Sequence, residues 1–295
     1  MYKTKTENIS SIAQKVSIMT IIGNVVLTAF KLIAGFIGNS NAMISDAIHS
    51  ASDVFSTIIV IIGIRLSLKQ SDKEHPYGHE RFECVAAIIL SVILFATGLK
   101  VGFRAINSLL SNSSQTTEPG LIALVAAFVS ILAKELMFWY TKINAKRIDS
   151  AALMADAWHH RSDAFSSIGA MVGIIGTKIG YPFMDSVASL IIFAFIIKAS
   201  FDIFIDAAQK VVDNSCGEEI ETNIKKCATK NPEVKGVDEL STRKFGNMIY
   251  VDIEIRVSGD YTLRKAHDIA QEVHDSIEDS FPKTKHVMVH VNPDD

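Results

Sequence analysis

Six apolar runs, each about 20 residues long, decide what this chain can fold into. They cover 18–37, 42–66, 84–110, 121–140, 155–175 and 187–207. A helix of ~20 residues crosses the ~30 Å hydrocarbon layer of a bilayer. Backbone groups in lipid must satisfy one another, so each run is predicted to be a transmembrane helix. After about residue 209 the chain turns polar, which explains why only 48% of its 295 residues are hydrophobic. The expected division is a membrane domain at 1–208 and a cytoplasmic domain at 209–295. Turns are expected around 38–41 and 180–182, and a loop without basic residues at 111–120.

Basic residues orient the bundle. Lys3, Lys5 and Lys15 precede the first helix; Lys69, Lys73 and Arg81 lie between the second and third; Lys142, Lys146 and Arg147 lie between the fourth and fifth. The opposite loops carry only Lys178. This bias places both termini in the cytoplasm, in an inner-membrane topology. Lys100 and Arg104 run against it and are expected to snorkel to the outer headgroups. A formal net charge of -3 suggests no nucleic-acid partner. Cys84, Cys216 and Cys227 form no CxxC pair, so neither a disulfide framework nor a thiolate metal site is expected. Residues 1–14 are polar and lack the small-residue cleavage pattern of a signal peptide.

The tail alternates by type. Residues 217–231 have helical spacing, 237–243 and 248–257 read as strands around a turn at 244–247, 263–281 is an amphipathic helix, and 286–291 alternates as a strand. The order α-β-β-α-β predicts a ferredoxin-like domain. At roughly 80 residues it is marginal alone, so pairing with a second copy, a homodimer, is expected.

Chemistry concentrates in a repeat. The second helix carries Asp46, His49 and Asp53; the fifth carries Asp156, His159 and Asp163. Both segments read Asp-Ala-x-His-x-x-Ser-Asp. With three helices per half the repeat is inverted, an arrangement that points to a substrate site at the repeat interface. The i, i+3, i+7 spacing puts each set on one helix face. At 1.5 Å per residue, His49 lies ~12 Å from the outer turn and His159 ~13–14 Å from the inner side, so both are near the midplane. Ionisable residues there are expensive and functional by default. Two imidazoles and two carboxylates suit a tetrahedral divalent metal, zinc foremost. Asp46 and Asp156 are expected to support the ligands by hydrogen bonds. Trp158 is expected to pack, with His160 and Arg161 facing water or headgroups. The alternatives are an interhelical polar clamp and a metal-free proton relay. Facing carboxylates repel unless a cation or protons lie between them, which favours the metal.

Two further groups stand out. Asp72, His75 and His79 form a short cytoplasmic loop suited to one metal. In the tail, Asp238, Glu254, His267 and His290, with Asn292, fall near strand ends or on the last helix. Scattered surface histidines are the plain alternative.

Taken together, the six helices, the two motifs, the His75-Pro76-Tyr77-Gly78-His79 loop and the α/β tail resemble the cation diffusion facilitator transporters over nearly the whole chain. The resemblance implies homodimers that move zinc or a related ion out of the cytoplasm against protons, with no organic cofactor. It implies a transport site at His49, Asp53, His159 and Asp163, a loop site at Asp72, His75 and His79, and a salt bridge between Arg81 and Asp213. The family's two-metal tail site would fall on Asp238, Glu254, His267, His290 and Asn292. Here Asp and Glu replace histidines and an amide replaces a carboxylate, so weaker or single-metal binding is expected. Rival classes are a membrane-embedded zinc hydrolase and a metal-dimerised scaffold. Four ligands would leave a hydrolytic zinc no open position, whereas a scaffold leaves the midplane residues unexplained.

Overall fold

The computed structural model describes residues 2–37, 41–111, 121–178 and 184–294. The expected turns at 38–40 and 180–182 and the loop at 112–120 lie outside the described residues. The chain divides into two compact units, Met1–Ala207 and Ala208–Asp295.

Six long helices account for the first unit: α1 Tyr2–Ile37, α2 Asn41–Ser67, α3 Arg81–Ser111, α4 Leu121–Ile148, α5 Ala151–Lys178 and α6 Met184–Val211. Each has at least 27 residues, or ~40 Å at 1.5 Å per residue, and so outruns the hydrocarbon layer. That is why Lys142, Lys146 and Arg147 sit on the last turns of α4 rather than in a loop. No helix breaker occurs before Asp149, whose positive φ of 56° ends the helix.

On length and composition alone, Ser11–Ala34, Arg81–Asn107 and Ser186–Val211 qualify as membrane spans among the described residues. The other three helices carry charge inside their apolar runs: Asp53 on α2, Lys134 and Glu135 on α4, Asp156, Arg161 and Asp163 on α5. The residues that dilute their hydropathy are the ones that meet in the bundle.

Helix α1 packs on α2 and α4, α4 on α5, and α3 on α2 and α5. Val16, Val60, Ile64, Leu90, Leu94 and Leu153 form the apolar core. The outer surfaces expose Val26, Val92, Phe103, Leu136, Phe195 and Phe204, as a lipid-facing surface should. A small residue sets the α2–α3 distance, because a Cβ on Gly63 would lie 2.4 Å from the Cβ of Ala86. Small residues let membrane helices approach closely where no hydrophobic drive exists between them.

The second unit contains α7 Glu218–Ala228, β1 Gly236–Phe245, β2 Met248–Ser258, α8 Leu263–Ser280 and β3 Thr284–Asp294. The sheet order is β1-β2-β3. Strands β1 and β2 are antiparallel across a turn where Gly246 takes a φ of 62°. Strand β3 returns parallel to β2 after α8, giving the ferredoxin-like α-β-β-α-β order. Val251, Ile253, Ile255 and Val257 alternate along β2 with more polar residues and pack on Ile224, Ile269, Val273 and Ile277. Thr262 caps α8 by accepting the Lys265 N–H at 3.3 Å.

Candidate metal centre

The joint between α4 and α5 aligns half of the site. The Ser150 N–H donates to the Ala145 carbonyl at 2.9 Å, closing α4 with Asp149 in the left-handed region. The Ser150 Oγ then accepts the Leu153 N–H at 3.2 Å and starts α5. So short a connection forces the two helices to run antiparallel and in contact. Lys134 of α4 thereby faces Asp163 of α5.

Four helices contribute to one buried cluster. Asp53 of α2 and His159 and Asp163 of α5 bring their ligand atoms within 4.8 Å of one another. Asp53 Oδ1 lies 3.3 Å from His159 Nε2. All three side chains are more than nine-tenths buried. Within the cluster lies the ammonium of Lys134, itself 2% exposed. It donates to Asp53 Oδ2, to Asp163 Oδ2 at 2.9 Å and to the Asn24 Oδ1 of α1 at 3.1 Å. His49 precedes Asp53 by one turn of α2, and its side chain, like that of Asp46, lies outside the described residues.

Asp156 is displaced from this group. Its Oδ1 accepts the Thr57 hydroxyl at 3.3 Å, and its Oδ2 lies 3.6 Å from His160 Nε2. Among the described residues its connection to the ligands is through Thr57, whose hydroxyl also lies 3.4 Å from the Asp53 carbonyl. His160 is fully buried rather than water-facing, because it follows Asp156 by one helical turn and shares its inward face. Arg161 is stacked over the rings of Phe138 and Phe165, at 4.3 and 5.2 Å to the centroids, and lies 3.7 Å from Glu135. Aromatic faces and a carboxylate, not headgroups, satisfy that charge. Trp158 packs against the core.

The loop group also assembles. His75 Nδ1 is 3.5 Å from Asp72 Oδ1, and His79 Nε2 is 3.4 Å from Asp72 Oδ2. The Asp72 carboxylate organises its own turn by accepting the N–H groups of Glu74 and His75 at 3.1 and 2.8 Å. Lys69 donates to Asp72 Oδ2 at 2.6 Å. That bond and the His75 N–H hold the Asp72 carboxyl well below the usual carboxylate range. His79 is buried while His75 is exposed, so the group is anchored on one side and open on the other.

The tail residues do not gather in the same way. Among the described residues of one chain, Asp238, Glu254, His267 and His290 form no metal-ligating group. Instead the Asn292 amide donates to Asp238 Oδ2 and Glu254 Oε2, both at 3.1 Å. Arg256 Nε lies 2.6 Å from Asp238 Oδ1. An amide and a guanidinium thus occupy the carboxylate oxygens a metal would need. Asp213 lies 3.9 Å from Arg243 within the second unit, and Arg81 begins α3 of the first.

Lys134 and Asn24 are absent from the sequence-level expectations. The signal for Lys134 was present: an ionisable residue in the middle of the apolar run at 121–140 is functional by default. Asn24 offered only a polar residue in a long apolar helix.

Residues 17–211 match the cation efflux transmembrane domain. Residues 216–294 match the cation efflux protein cytoplasmic domain, ZT_dimer. The chain is 34% identical to an uncharacterized transporter of Methanocaldococcus jannaschii, over 95% of this chain and 98% of that one. It is 32% identical to the manganese efflux system protein MneP of Bacillus subtilis, over 96% of each. Its similarity to the magnetosome protein MamM of Paramagnetospirillum magneticum is 34% identity over 85% of this chain and 79% of that protein. A solved MamM C-terminal domain in a cadmium form is similar at 24% identity and a TM-score of 0.26, covering 26% of this chain and 98% of that one. With both of its units matched in order, this chain belongs to the cation diffusion facilitator family, the membrane transporters that carry divalent metal cations.

Proposed function

We propose that this protein exports a divalent transition metal, zinc foremost, from the cytoplasm in exchange for protons, through Asp53, His159, Asp163 and the expected fourth ligand His49. The observation that carries this reading is the convergence of Asp53, His159 and Asp163 within 4.8 Å inside an apolar bundle. Imidazole beside carboxylates suits zinc and its borderline neighbours better than magnesium or calcium. Metal binding needs neutral imidazole and ionised carboxylate, so protons and metal compete for the same atoms. Histidine, with an unperturbed pKa of ~6.5, is the side chain suited to that competition near neutral pH. The cycle is alternating access: the site loads from the cytoplasm, reopens outward, and external protons release the metal. Both termini lie in the cytoplasm on the distribution of basic residues. The tail domain pairs two chains into a homodimer, supported by its match to a dimer-type cytoplasmic domain.

The loop residues Asp72, His75 and His79 fit a second, cytoplasmic metal through one carboxylate and two imidazoles. A tail site on Asp238, Glu254, His267 and His290 would need Asn292 and Arg256 to let go of the carboxylates. Arg81 and Asp213 are proposed as salt-bridge partners, as the family resemblance implies. Asp46 and Asp156 are retained as supporting residues, Asp156 acting through Thr57.

Manganese is the second reading, favoured by two relatives named as manganese efflux proteins, MneP and MneS, at 32% and 33% identity. The deciding experiment is proton flux in proteoliposomes driven by zinc or by manganese, with wild type beside Asp53→Ala. A zinc-driven flux lost in the variant supports the first reading, and a manganese-driven flux without zinc response supports the second. Absence of any metal-driven flux in inserted wild type removes both.

A further inference from the structure

The oxygens that a metal would take from Asp53 and Asp163 are held by a cation that belongs to the protein. Lys134 Nζ contacts Oδ2 of each carboxylate, while the other Asp53 oxygen faces His159. An ammonium has three donors and no acceptor. All three donors are used here, the third on Asn24 Oδ1 at 3.1 Å. A metal bound to these carboxylates would therefore share its coordination sphere with a positive group that has no lone pair to offer. Two cations at that distance in a medium of low dielectric repel strongly. Ammonium and metal exclude each other.

The charge count gives this exclusion a use. Two carboxylates alone in the bundle are costly, because each buried ion needs a partner. With Lys134 in place one of the two charges is compensated. We infer that Lys134 is a resident counter-cation: it offsets one of the two carboxylate charges while the transport site holds no metal, and a divalent ion loads by displacing it toward Asn24. This rests on the reading of Asp53, His159 and Asp163 as the transport site. Lys134 keeps its proton throughout, and the exchange is one of position.

Two consequences follow from charge. A divalent transition metal gains about twice what the ammonium gains from the same carboxylates and also bonds the His159 imidazole, which offsets its larger desolvation cost and lets it displace Lys134. A monovalent ion has no such advantage and pays desolvation besides. Lys134 is thus a specificity-determining residue that shuts out sodium and potassium. It also loosens the metal, since part of the binding free energy goes into moving the ammonium, and loose binding favours release on the far side.

The test uses the full-length protein in lipid nanodiscs, titrated calorimetrically with zinc and with manganese. The site's binding event is identified as the one abolished by Asp163→Asn. Lys134→Met, similar in length and uncharged, is expected to tighten that event at least about tenfold. It should also make the event sensitive to sodium, which is without effect on wild type beyond general ionic strength. Lys134→Arg retains the charge and should not tighten it. If Lys134→Met fails to insert, Lys134→Gln replaces it with the same expectation. Unchanged or weaker binding in an inserted, dimeric variant overturns the inference and leaves Lys134 a structural clamp, which would lower stability without improving affinity. If wild type binds metal but Asp163→Asn removes no event, the transport-site reading itself fails and the inference falls with it.

Discussion

Asp53 on α2 and His159 on α5 meet with 3.3 Å between Oδ1 and Nε2. They come from the two matching Asp-Ala-x-His-x-x-Ser-Asp segments, and their helices touch directly. Neither helix supplies all three groups: α2 brings Asp53 and α5 brings His159 and Asp163. A site divided between two helices is sensitive to their relative motion, which is the physical requirement for moving a bound ion across a membrane.

Neutralising either carboxylate should stop transport without preventing insertion. Asp53→Asn and Asp163→Asn preserve shape and remove one of two negative ligands. Loss of a supporting partner alone costs ~10–100-fold at metal sites, so loss of a ligand should cost at least that. Metal uptake into inverted vesicles, scored beside the amount of inserted protein, measures it. Wild-type rates in both variants would rule the site out.

Exchanging imidazole for carboxylate should change which ion moves. His159→Asp supplies a third hard oxygen in place of the borderline nitrogen. The ratio of manganese to zinc transport should rise, because carboxylate-rich shells suit manganese while imidazole suits zinc. Competition between the two ions in one vesicle assay reads the ratio directly. An unchanged ratio would mean that His159 does not touch the ion.

The loop makes a prediction about acid. Lys69 and the His75 N–H lower the Asp72 carboxyl below its ordinary 3.8. A depressed carboxyl stabilises the fold above its unfolded value and loses that contribution as pH falls through the folded one. The turn at 72–75 should therefore keep its amide protection down to about pH 3.8 and lose it only below. Lys69→Ala should bring the loss to higher pH. Hydrogen exchange of the loop amides from pH 7 down to about pH 2 checks the direction.

Gly63 tests the closeness of α2 and α3. A side chain there meets Ala86, whose Cβ is fixed to the backbone and has nowhere to turn. Gly63→Leu should cost about 1–3 kcal/mol as overpacking. Thermal unfolding in detergent should show it, while a replacement near neutrality would mean that the helices separate freely.

The proposed ligands Asp53, His159 and Asp163 could be read because helical spacing alone puts i, i+3 and i+7 on one face and because charge in an apolar run is costly. The tail's element order was readable for a similar reason: Val251, Ile253, Ile255 and Val257 alternate, as only a one-sided strand does. Its metal group was not readable, because the partners of Asp238 and Glu254 depend on pairing. Strand register sets Glu254 beside His290 and Arg256 beside Asn292. The side chains of Arg256 and Asn292 then reach the carboxylates first.

Lys134 shows the same limit within the membrane. The sequence by itself determined that the first unit is a helical membrane domain and which helices carry the proposed ligands, since hydropathy and periodicity are local properties of a chain. Only the tertiary structure decided that Lys134 and Asn24, on two other helices, meet Asp53 and Asp163 at one point. That meeting depends on how α1, α2, α4 and α5 rotate and cross, and helix rotation is set by packing between surfaces distant in sequence.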